Sequence, residues 1–73
     1  MLKWFTNAVS DHEGESLAIN STHVVNVYER TKTIAKEEGN VDVKTTFIFC
    51  GAAGTWEVKE SIEIVVARLN ERD

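Results

Sequence analysis

A chain of 73 residues has room for one domain and a small core. With Cys50 as its single cysteine it can hold neither an internal disulfide nor a cysteine-rich zinc site. Twelve acidic residues against eight basic leave a net charge of -4, which weighs against nucleic-acid binding by a lone monomer, because that affinity is mostly phosphate neutralisation.

In chain order, the sequence predicts a first strand over Leu2 to Val9, with Trp4 and Phe5 as its bulk. Asp11-His12-Glu13-Gly14-Glu15 reads as a polar turn, and Ser16 to Asn20 as a short second strand with Leu17 and Ile19 on one face. Asn20-Ser21-Thr22 marks a tight bend. His23 to Thr33 is rich in β-branched and aromatic residues and reads as a third strand. Its parity is divided, with Val25 and Val27 on one face and Val24 and Tyr28 on the other. Lys36-Glu37-Glu38-Gly39-Asn40 is a charged loop, and Ile34 and Ala35 before it either extend the strand or open a helical turn.

Val41 to Gly51 alternates clearly and predicts a fourth strand. Val41, Val43, Phe47 and Phe49 make the expected buried face. Asp42, Lys44 and Thr46 make the wet one, on which Ile48 and Cys50 break the alternation. Gly51-Ala52-Ala53-Gly54 reads as a hairpin turn into a fifth strand, Thr55 to Val58. Ile62, Val65, Val66 and Leu69 then fall at i, i+3, i+4 and i+7, one apolar helix stripe capped by Ser61 or Glu60. The fold class is therefore α+β and mostly β: five short antiparallel strands, forming a bent sheet or small barrel, plus one C-terminal helix in a single domain spanning 1–73.

Small domains usually need a staple, and oligomerisation is the one this composition leaves open. An open barrel has edge strands that invite pairing with another chain. A homo-oligomer is the expectation, with Ile48, Cys50 and Trp56 as interface candidates. Trp56 reads equally as core or as an interface anchor.

The segments Ala18-Ile19-Asn20, Val24-Val25-Asn26-Val27, Thr46-Phe47-Ile48-Phe49 and Trp56-Glu57-Val58-Lys59-Glu60-Ser61-Ile62-Glu63 resemble the small FlbD-type flagellar proteins and similar short proteins of marine phages. That resemblance covers roughly residues 16 to 70 and implies a structural or regulatory protein that docks on a protein partner. The architecture is also similar to Sm-like small barrels, although here the helix follows the strands. This second likeness is one of fold alone, and it implies a ring that binds single-stranded RNA or DNA. A ring can gather basic residues into a local patch whatever the total charge.

Candidate chemistry is sparse. Nucleic-acid binding asks for basic residues among aromatics, which points to Lys3 beside Trp4 and Phe5, to Arg30 and Lys32 after Tyr28, and to Lys44. Cys50 lacks a histidine in a nucleophile motif and reads as a small hydrophobe. The acidic turn at 11–15 lacks a calcium-loop pattern and reads as solvated. No enzyme, cofactor or metal is expected. The opening residues 1–7 are too short and polar for a secretory signal, and no apolar run nears the roughly 20 residues of a membrane span. A cytoplasmic location without membrane contact is the expectation.

Overall fold

The computed structural model describes residues 1–71. It has five antiparallel strands, β1 (Leu2–Thr6), β2 (Ser16–Asn20), β3 (Asn26–Lys36), β4 (Gly39–Phe49) and β5 (Thr55–Val58), followed by one helix, α1 (Ile62–Leu69). β1 pairs with β2 in one sheet, while β3, β4 and β5 form the other in that order. A single bridge between Asn7 and Val58 joins them. Two backbone bonds flank it, Ala8 N–H on Glu57 C=O (3.0 Å) and Lys59 N–H on Thr6 C=O (2.9 Å). The pairings therefore run β2-β1-β5-β4-β3 around a sharp bend. Among the described residues nothing pairs β2 with β3, so the sheet does not close into a barrel.

The bend wraps the core. Phe5 and Ile19 come from the first sheet, Ile48, Cys50 and Val58 from the second, and Val65 from the helix. Leu17, Val24, Val27 and Leu69 pack around them. The predicted buried face of β4 is inverted. Thr46 and Ile48 are the buried residues of its C-terminal half, with Cys50 buried just after it, whereas Phe47 and Phe49 are half-buried on the opposite side. A β-strand's period of two means that choosing the wrong parity exchanges every side chain. On that outer face Phe47 is covered by a stack with Tyr28.

The helix buries a narrower stripe than its spacing suggests. Val65 is fully buried and Leu69 partly, but Val66 is exposed. Ser61 caps the helix, its Oγ accepting from the N–H of Ile64 at 3.3 Å. Glu60 has another task. Its carboxylate accepts the N–H of Thr6 (2.9 and 3.0 Å) and the Thr6 hydroxyl (3.0 Å), and pairs with Arg68 at 3.1 Å. Arg68 also donates to the carbonyl of Trp4 at 2.9 Å. The edge of β1 that β5 leaves open is thus satisfied by two side chains acting in place of a neighbouring strand.

The charged loop predicted at 36–40 is a two-residue turn, Glu37-Glu38, closing a long hairpin in which Ile34 and Ala35 continue β3 and pair with Val41 and Asn40. The turn takes its positive φ, +119°, at Gly39. The hairpin projects as an arm whose residues 29–42 are all exposed, and it draws the molecule out to 45 × 23 × 21 Å.

Candidate binding surfaces

Arg30 and Lys32 share the outer face of β3 with Tyr28, because strand residues two apart point the same way. Across the ladder Tyr28 lies opposite Phe47, and their rings stack with centroids 5.3 Å apart and planes 12° apart. The Arg30 guanidinium carbon sits 5.4 Å from the Tyr28 centroid and the Lys32 Nζ 5.5 Å from that of Phe47. Glu57 on β5, beside Phe47, holds Lys32 with an ion pair of 2.8 Å. Two cations over two stacked rings form a compact basic and aromatic strip.

The other two basic candidates lie elsewhere. Lys3 is on β1, on the face of Phe5, with its Nζ donating to the carbonyl of Glu71 at 3.0 Å. Lys44 pairs with Thr31 on the opposite face of the β3–β4 ladder. The four predicted nucleic-acid residues therefore do not form one site; only Arg30 and Lys32 come together.

Two interface candidates are corrected by burial. Ile48 has no exposed surface and Cys50 is 7% exposed, both within the chain's own core. They are the apolar residues that appeared to break the wet face of β4, and that face is the core face. Burial pushes the Cys50 thiol above its usual range, away from the thiolate that a nucleophile needs. Trp56 stays at the surface, 37% exposed, beside a groove that it lines with Leu2, Ala18 and His23.

Trp4 is exposed rather than core, and it shares with Leu2 the outer face of β1. Leu2 and Trp4 are thus an exposed apolar pair on β1, and Leu2 also lines the groove beside Trp56. The i, i+2 spacing of Leu2 and Trp4 was the available signal, as was the i, i+2, i+4 spacing of Tyr28, Arg30 and Lys32.

In the turn at 11–15, His12 Nδ1 lies 3.3 Å from Glu15. Glu13 pairs with Lys59 at 2.8 Å, and that hydrogen bond and charge hold its carboxyl below the ordinary range. Among the described residues no cluster of three or more His, Cys, Asp or Glu side chains is placed to hold a metal ion, and no helix is long and apolar enough to cross a membrane. Compared with protein-family models, with curated proteins and with solved structures, the chain matches none.

Proposed function

We propose that the chain is a small binding module that works as a homo-oligomer and takes single-stranded RNA or DNA on the outer face of β3 and β4. The observation carrying this reading is the stacked Tyr28–Phe47 pair with Arg30 and Lys32 set over its rings. Bases stack on aromatic faces without sequence preference, and cations beside them neutralise the backbone. The free outer edges of β2 and β3 support assembly. Joining β2 of one copy to β3 of the next is a head-to-tail contact that closes into a ring when the rotation permits. Such a ring repeats the basic strip around its circumference, which offsets the overall acidity locally.

The test is fluorescence anisotropy with labelled oligothymidine and oligouridine at low salt. Replacing Arg30 and Lys32 together by alanine is expected to weaken binding at least about tenfold, with the thermal midpoint retained. Unchanged affinity, or no binding by the wild-type chain, sinks this reading.

A second reading is a protein that docks on a protein partner, as the likeness to FlbD-type proteins implies. The exposed Leu2, Trp4 and Trp56 favour it, because tryptophan anchors are frequent in protein interfaces. The net charge of -4 favours it as well.

A further inference from the structure

β5 covers only part of β4. It pairs with Thr46–Phe49 and stops at Val58, while β4 begins at Gly39. Over residues 39–45, β4 has β3 on one edge and no strand on the other. The direction of its backbone groups follows from two bonds. Cys50 N–H donates to Gly54 C=O (2.9 Å), and Phe49 C=O accepts from Val25 N–H (2.8 Å). Successive residues of a strand alternate sides. Ile48, Thr46, Lys44 and Asp42 therefore turn their N–H and C=O toward β5, and the residues between them turn theirs to β3. Beyond Thr46, the groups of Lys44 and Asp42 face an empty slot. The chain after Val58 cannot fill it, because Lys59 N–H bonds to Thr6 and the Glu60 carboxylate holds Thr6 as well.

The slot opens into a cavity of about 440 Å³. Ala8, Glu13 and Lys59 wall one side, and Ile34 and Val43 supply apolar surface on the other. Ile34 is 43% exposed and Val41, its cross-strand partner, 41%. Three lysines line the cavity. Lys32 is held by Glu57 and Lys59 by Glu13, while Lys44 has no carboxylate partner among the described residues.

We propose that this slot binds an extended peptide segment of a partner protein, added to β4 as an antiparallel strand in line with β5. The free N–H and C=O of Lys44 and Asp42 supply the ladder bonds, and a peptide backbone offers both the acceptor and the donor they require. The pleat sets the sequence. The residue opposite Lys44 lies on its face and is acidic. The next, opposite Val43, lies over Val43 and Ile34 and is apolar. The one opposite Asp42 is basic, and the one opposite Val41 is again apolar. The preferred segment reads acidic-apolar-basic-apolar from its N-terminus. Lys32 lines both this cavity and the Tyr28–Phe47 strip, but the backbone groups of Lys44 and Asp42 belong to the slot alone, so the peptide assignment does not require the strip to take nucleic acid.

The test is an amide NMR titration of the full chain with acetyl-Glu-Val-Lys-Val-Thr-amide and a scrambled control. The expected result is saturable shifts at the Lys44 and Asp42 amides, a dissociation constant below about 1 mM, and at least about tenfold slower hydrogen exchange of those two amides. Lys44→Glu is expected to weaken binding about tenfold, and a peptide beginning with Lys instead of Glu to restore it. Lys44→Pro removes a donor that faces the slot and none that faces β3, so it abolishes binding while the fold persists. If that variant unfolds, the charge-exchange pair decides alone. No shift at about 1 mM, equal binding of the scrambled peptide, or failure of the exchanged charges to restore binding overturns the proposal. So does an oligothymidine that shifts the same two amides when the peptide does not.

Discussion

At the scale of single residues, Glu60 carries the largest structural duty of any charged group in the described chain. Burial alone would raise its carboxyl. Hydrogen bonds from the Thr6 N–H, its own N–H and the Thr6 hydroxyl, with the charge of Arg68, outweigh that and hold it below the usual 4.5. A carboxyl depressed in the folded state contributes stability that is complete above the unfolded value and disappears as pH falls through the folded one. The thermal midpoint is therefore expected to hold above about pH 5 and to fall below about pH 4.5. Glu60→Gln is expected to flatten that acid limb, since its amide does not titrate there. Glu60→Ala removes the acceptor and leaves the Thr6 N–H and Arg68 without it, at a cost of about 2–3 kcal/mol at neutral pH. An acid limb unchanged in Glu60→Gln would show that other carboxylates govern it.

At the scale of elements, the arm formed by β3 and β4 behaves differently from the body. It buries none of its residues 29–42 and turns on Gly39 at φ +119°. A side chain at position 39 meets nothing within 4 Å, so Gly39→Ala adds backbone strain without a clash, about 1–2 kcal/mol. Because the arm contributes nothing to the core, that strain should appear locally. About tenfold faster amide exchange within 33–42 is expected, with little change in the thermal midpoint. A large drop in the midpoint would mean that the arm folds as one unit with the core.

The elements also show what the sequence made legible. β2, β5 and the helix match their expected bounds because each is bracketed by glycine, asparagine or a serine cap and has one apolar stripe. The inward face of β4 was not legible. Phe47 and Phe49 outweigh Ile48 and Cys50 in bulk, and only the pairing with β3 reveals that Tyr28 covers Phe47. The arm read as a loop because Lys36 to Asn40 has turn chemistry throughout, though only two of those residues make the turn. Arg30 and Lys32 were visible as candidates, whereas Glu57 and Glu60, which act through contacts far along the chain, left no local trace.

At the scale of the whole molecule, the open order β2-β1-β5-β4-β3 leaves the outer edges of β2 and β3 unpaired among the described residues, and that of β3 is the longer. Along it Val27, Glu29, Thr31 and Thr33 turn their backbone groups outward, since Tyr28 and Arg30 turn theirs to β4. If edges join copies of the chain, light scattering after size exclusion will give a discrete multiple of 8.2 kDa. Thr31→Pro, which removes an outward N–H only, will then reduce that mass toward the monomer. A monomeric wild type would leave the homo-oligomer without support and direct attention to the exposed Leu2, Trp4 and Trp56 side chains.

The Glu60 and Arg68 clasp on β1 also bears on how the chain is made. β1 is synthesised before the other four strands described, and its β2 partner follows soon after. Its second edge, however, is completed by residues 54 and 64 positions later. A nascent β1–β2 hairpin has Phe5 and Ile19 ready but no Val58 or Val65 to bury them against, and an isolated hairpin is marginal in water. Acquisition of the native state must therefore wait for the helix that carries Arg68, so the domain folds as one event once α1 is available instead of strand by strand.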